Sequence, residues 1–318
     1  MKFKTLFLFT LLLSIAINSN IFAQDSKVTI EKSINSNDTD QSITLNYIKR
    51  DPGSFYIYLD FSNVTNCDVT NYKTVIKGYS GQLLTLKPLD DKKGIGYSLR
   101  YYTIIGEPNP KVDSLFHYVL PFKKGKICKI AEASFLGEKY FDQEKPKNWK
   151  SYVINSKTAD TICSMRKGIV VKIDNQYENS ALSMVYTSKR NSITVEHSDG
   201  TLATYKGFKN NEIFVKLGQT VYPQTGLGVI EHFNTNNYRA DISISFLFDK
   251  NISSIEKQTM QNYKSKYEFV TPYFVTENGI EKLVSNKEYT SVCSETELFE
   301  EFTRSEKKKY LKDSTLFK

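Results

Sequence analysis

The chain has 318 residues, with 43 Lys and Arg against 35 Asp and Glu, 13% aromatic residues and four cysteines. That length is enough for two hydrophobic cores, and the formal charge of +8 is too dispersed to form a nucleic-acid-binding stripe. The closest cysteines, Cys128 and Cys163, are 35 residues apart, which excludes a Cys-x-x-Cys metal or redox motif.

Residues 1–23 read as a signal peptide: Lys2 and Lys4 precede an apolar run, and Ala23 supplies a small residue before Gln24 and Asp25. Removing it leaves 295 residues and lowers the formal charge to +6, because two lysines go with it. No later stretch reaches 18 uninterrupted apolar residues, so no membrane span is expected. The chain is expected to be exported, to the periplasm or beyond. Export permits disulfides, but Cys67, Cys128, Cys163 and Cys293 allow three pairings, and free thiols fit equally well.

Residues 24–42 are polar and are read as a flexible N-terminal segment. Over 43–125, short alternating runs such as "SFYIYLDFSNV" and "GYSLRYYTII" are separated by turn clusters such as "RDPGS" and "LDDKKGIG". Without helical periodicity between them, these predict an immunoglobulin-like antiparallel β-sandwich. Residues 126–150, with "LGEKYFDQEKPKNWK", read as a linker.

Strand patterns resume over 151–293. "NSITVEHSDGT" ends in a tight-turn signal, with Gly200 able to take a positive φ. "RADISISFLF" alternates an apolar back, Ile242, Ile244, Phe246 and Phe248, with a front of Asp241, Ser243 and Ser245. Residues 294–318 predict a C-terminal helix and tail. "SETE" forms a capping box, acidic residues open the stretch and basic ones close it, and Leu298, Phe299 and Phe302 would face the protein.

Four blocks in order carry a resemblance: "ADTICSMRKGIVVKI" (159–173), "NSITVEHSDGTLATYKGF" (191–208), "VKLGQTVYPQTGLGVI" (215–230) and "SISF" (243–246). Together they resemble the lysostaphin-type, LytM-like zinc endopeptidases of peptidoglycan. The resemblance implies a mostly β chain: a β-sandwich, then a LytM-like duplicated hybrid motif (a β-barrel or sandwich), then the C-terminal helix. In that family a His-xxx-Asp segment and the second His of His-x-His hold zinc. The first His of that pair and the His of Tyr-x-His assist the metal-bound water.

This chain departs from the pattern at each of these places. Ser243 and Ser245 replace His-x-His, and Gly207 ends the Tyr-x-His block begun by Tyr205. Asn155, or Val153 in a shifted alignment, falls at the aspartate; near the first histidine stand Tyr140, Phe141 and Trp149. Gln224 stands where the family has a turn glycine, which implies a rebuilt turn. Serine hydroxyls and an amide are poor zinc ligands. No catalytic residue, metal or cofactor is therefore expected. The remnant groove, with Tyr205, Ser243, Ser245 and His232, is the candidate binding surface.

His197 reads as a strand-end or turn residue, His117 as a residue of the front sandwich, and His232 as a loop residue. The leading expectation is an inactive LytM-like protein that binds peptidoglycan or regulates a cell-wall hydrolase. A competing one is a metallohydrolase with ligands relocated among His197, His232, Asp241 and Glu231, with Glu196 a further acidic residue that could join an ion site. A third is a structural or adhesive envelope protein.

Overall fold

Period-2 alternation builds both parts of the molecule. The computed structural model describes residues 27–37, 40–135, 138, 145–146, 148–178, 189–234, 237–252 and 265–317. The stretch read as a signal peptide, 1–23, and the aromatic pair Tyr140 and Phe141 lie outside the described residues.

The first unit has six strands: β1 (Val28–Asn37), β2 (Asp40–Lys49), β3 (Phe55–Thr65), β4 (Asn71–Ile76), β5 (Ser80–Leu86) and β6 (Gly96–Ile105). They form two antiparallel sheets, ordered β1-β2-β5 and β4-β3-β6. Ile43, Leu45, Phe55, Ile57, Leu59 and Ile76 fill the space between them. The flexible reading of 24–42 is corrected from Val28 onward. β1 pairs with β2 along its whole length, and Val28 is buried. Its polar residues Thr29, Glu31, Lys32 and Ser33 face water, as the outer side of an edge strand allows.

The sandwich ends at Ile105 rather than 125. Phe116, Tyr118, Leu120 and Phe122 belong to the core of the second unit. β7 (His117–Val119) pairs in parallel with β19 (Tyr273–Thr276), which also pairs with β20 (Gly279–Glu281), so His117 is not a residue of the front sandwich. The linker is corrected too. Its first residues form β8 (Ile127–Glu132), which pairs with β9 (Tyr152–Ser156) and β21 (Glu288–Thr290).

The main sheet of the second unit runs β14 (Thr220–Val221), β11 (Gly168–Asp174), β12 (Asn191–Glu196), β13 (Leu202–Ile213), β17 (Asn237–Leu247), β9, β8, β21. This path does not close into a barrel. Shorter strands attach beside it: β10 (Thr161–Cys163) with β15 (Gly226–Ile230), and β16 (His232–Asn234) and β18 (Tyr267–Phe269) with β17. One face is core. Ile154, Ile193, Val195, Ala203, Tyr205, Ile242 and Ile244 are all at most 2% exposed. Burial of each large apolar side chain here stabilises by about 1.5–3 kcal/mol.

The C-terminal segment is two short helices, α2 (Glu295–Phe299) and α3 (Arg304–Lys312), following α1 (Asp249–Ile252). Ser294 caps the first with the expected capping box, and Thr303 caps the second with another. The break lets Phe299, Phe302, Tyr310 and Phe317 gather, with Tyr222 stacking 4.7 Å from Phe302 and Phe317. All four cysteines are free, and burial pushes Cys128 up to about 12 and Cys163 up to about 11, which leaves both as inert thiols.

Candidate functional site

The front face of the sheet is built by cross-strand register. Asp174, Ser192, Lys206 and Asp241 stand opposite one another across β11, β12, β13 and β17. One step along, Lys172, Thr194, Thr204 and Ser243 form a second row, richer in hydroxyls. Directly opposed residues on one face touch, so each row is a contact ladder. Lys172 pairs with Asp174 at 2.7 Å, and Ser192 donates to the same carboxylate at 2.9 Å.

At the outer end of the first row the electrostatics are strongest. Arg190 pairs with Asp241 and also donates to the Arg239 carbonyl, while Arg239 Nε reaches Asp241 Oδ1 at 2.7 Å. The Phe233 ring lies 4.7 Å from the Arg239 guanidinium and 5.6 Å from that of Arg190. Burial lowers the Arg190 pKa, against the pull of Asp241. One carboxylate thus holds two guanidiniums.

This cluster closes the place where the family carries the histidine of Tyr-x-His. Gly207 has φ +104°, a conformation costly to any residue with a Cβ. A Cβ there would collide with the Arg190 guanidinium and the Arg239 carbonyl. The residues present do not fit zinc. A guanidinium has no lone pair to give, and Ser243 and Ser245 offer only neutral hydroxyls.

Ser243 and Ser245 do share the front face, half-buried and buried respectively. Ser245 stands opposite Phe269 of β18, and Phe269 packs 4.6 Å from Trp149, which packs 4.9 Å from Phe135. Asn155 does not join them. It pairs opposite Arg239, four residues up β17 from Ser243 and so about 13 Å away at strand rise. It is exposed and accepts from Asn237. Val153, the other candidate, is buried opposite Asp241.

Two proposed groove residues are corrected. Tyr205 is fully buried on the opposite face, across from Ile193 and Ile242, and its hydroxyl accepts from the Met165 amide at 3.0 Å. Its neighbours Thr204 and Lys206 took the front positions, a phase already visible in the alternation of "TLATYKGF". His232 stacks on Tyr238 at 3.9 Å, five residues from Ser243 and about 17 Å along the strand.

The relocated metal site also fails on geometry. His197 is buried at the β12–β13 turn, where its Nδ1 meets the Thr201 hydroxyl at 2.9 Å. That hydroxyl donates to Asp199, so Nδ1 carries the proton. Burial, followed by the Arg166 charge, holds the ring neutral, well below its usual range. Asp241 is taken by two arginines, and Glu196 Oε2 accepts from the Ser54 amide of the first unit at 2.7 Å. Glu231 accepts from the amide of its neighbour His232. Among the described residues, no three His, Cys, Asp or Glu side chains converge on one point.

Two further features depart from the sequence reading. Gln224, read as the mark of a rebuilt turn, instead keeps the glycine-like backbone, at φ +71°, at a cost of about 1–2 kcal/mol. Its side chain offsets this by bonding the Phe122 carbonyl at 2.8 Å and the Lys124 amide at 2.9 Å. The second is a buried ion network under the C-terminal helices. Arg166, 3% exposed, binds Asp199 and Glu301 at 2.9 Å and stacks 3.7 Å from the Phe116 ring. Beside it, Lys167 and the Tyr222 hydroxyl both bind Glu306 at 2.7 Å.

No family model matches the chain, and no curated protein sequence matches it significantly. Among solved structures, it is similar to a Pseudomonas aeruginosa protein described as a peptidase M23, at 14% identity and a TM-score of 0.26, over 59% of this chain and 82% of that one. It is also similar to Helicobacter pylori Csd3, at 10% identity and a TM-score of 0.28, over 91% and 78%. A zinc-containing peptidase of Vibrio cholerae gives 9% identity and 0.23, over 68% and 82%.

Proposed function

We propose that this chain is an exported, catalytically inactive LytM-like protein that works in the cell envelope as a binding or regulatory module, by holding peptidoglycan or by acting on a cell-wall hydrolase. The observation that carries the reading is the front face around β17. Every position at which the resemblance would place a metal ligand or proton shuttle and that the structure describes holds a non-donor or a weak one. The Gly207 position is further filled by a guanidinium. Catalysis by a metal-bound water needs three protein ligands and a group to move its proton. Asn155, Gly207, Ser243 and Ser245 supply neither.

What remains on that face is suited to recognition. Half-buried hydroxyls, alternating charges and the Phe135, Trp149 and Phe269 rings offer hydrogen bonds beside apolar surface, as binding grooves do. The test is sedimentation of the mature protein with purified peptidoglycan sacculi, together with a hydrolase assay in its presence. Retention on the sacculi, or a changed hydrolase rate, is the expected result. Neither retention nor any effect on hydrolysis would leave the chain a structural envelope protein.

A further inference from the structure

The seam between the two units holds a cavity of about 390 Å³. Three lysines from distant parts of the chain meet around it: Lys27 before β1, Lys172 on β11 and Lys266 before β18. Phe55, Ile104 and Tyr267 supply apolar walls. Among the described residues, no Asp or Glu lines it. Lys27 is paired with Asp51 at 2.6 Å and Lys172 with Asp174 at 2.7 Å, both at its margins, whereas Lys266 makes no ion pair among the described residues. An adjoining cavity of about 530 Å³ shares Lys27 and adds Arg50 and Asp51, so that with Lys172, Lys266 and Asp174 the charges named around the two cavities still sum to a positive excess. The potential in this cleft is therefore positive, and low-dielectric walls concentrate it.

The cavity also exposes a strand edge. β6 is the outer strand of its sheet, and Thr103 and Ile105 line the cavity. The Gly106 amide donates to the Ser54 carbonyl at 2.8 Å, which fixes the phase of the β3–β6 ladder. Phe55–Ile105 and Ile57–Thr103 are then the non-hydrogen-bonded pairs, so the amides and carbonyls of Thr103 and Ile105 point away from β3. The Tyr267 hydroxyl, at 2.9 Å, takes the Ile105 carbonyl. Among the described residues, the Ile105 amide and both Thr103 backbone groups have no strand partner, at an edge whose residues line the cavity.

We propose that this cavity binds an extended peptide bearing carboxylates. The peptide backbone adds to β6 at Thr103 and Ile105, and its acidic groups meet Lys27, Lys172 and Lys266. Strand addition supplies affinity without sequence preference, and the side-chain sites beside the edge supply selectivity. The site takes Lys172 from the far end of the front-face row but none of Asn155, Gly207, Ser243 or Ser245, so its outcome does not depend on whether those positions hold a metal.

The test is calorimetric titration of the mature chain with an N-acetylated tetrapeptide of alternating valine and glutamate. Its glutamine analogue, a version methylated on a central amide nitrogen, and inorganic phosphate serve as comparators. The expected result is binding that weakens at least tenfold for the glutamine analogue, for the N-methylated peptide and for Lys266→Glu, with the melting temperature of the variant unchanged. Lys266→Gln, a milder change, is expected to weaken binding severalfold. No binding of the acidic peptide, or binding indifferent to both Lys266 variants, would overturn the proposal. Equal binding of the N-methylated peptide, or full competition by phosphate, would reduce the site to a simple anion site and overturn strand addition.

Discussion

The two faces of the sheet around β17 obey different constraints. On the back, Ile193, Tyr205, Ile242 and Ile244 are packed so that each side chain fills space left by its neighbours. On the front of the same strand, Asp241 meets two guanidiniums and Ser243 stands opposite Thr204, while Ser245 is buried between Leu202 and Phe269. A core position tolerates few side chains because packing there is dense. A half-buried front position such as Ser243 is constrained less by packing and more by the chemistry asked of it. A resemblance carried by glycines and apolar residues therefore says little about which donor atoms stand on the front.

Substitution on each face should separate the two. Ile244→Ala, at a residue 2% exposed, removes core packing and is expected to destabilise by about 3 kcal/mol, read from the denaturation midpoint. Asp241→Asn leaves two adjacent guanidiniums with a neutral partner. Because the pair is partly solvated, with 14% and 19% side-chain exposure, a smaller loss of about 1–2 kcal/mol is expected. Ser243→Ala should change stability by less than about 0.5 kcal/mol. If Ser243→Ala cost as much as Ile244→Ala, the front would be as tightly constrained as the back, and the contrast would fail.

A pH titration probes the C-terminal helices instead. Burial opposes the charge of Glu306, but bonds from Lys167, Thr303 and Tyr222 outweigh it and hold the carboxyl at about 2, below its ordinary 4.5. A depressed pKa stabilises the fold fully above the unfolded value, and that contribution is lost as pH falls from about 4.5 towards 2. Protease accessibility of residues 295–317 should rise through that window in the wild type. In Glu306→Gln it should already be raised at neutral pH and change less on acidification.

Much of this architecture could be read from the chain. The alternation in "RADISISFLF" fixed the two sides of β17, and "SETE" marked the start of a helix. Other elements were hidden for physical reasons. β1 is polar because an edge strand can face water on its outer side, so its composition resembles that of a loop. β8 is only six residues long and follows the exposed "KKGK", so its buried Cys128 and Ile130 are a weak signal. The helix break was legible in a second capping box, Thr303 to Glu306, that a single-helix reading passes over. The pairing of Arg190 with Asp241 spans 51 positions, and nothing local announces it.

The central claim concerns the ability of the front face to grip a metal ion. The direct measurement is elemental analysis of the mature protein after incubation with excess zinc and exhaustive dialysis, run beside a cell-wall hydrolysis assay. The account expects zinc well below one ion per chain and no release of wall fragments. One tightly held zinc per chain, with hydrolysis that a chelator abolishes, would contradict it.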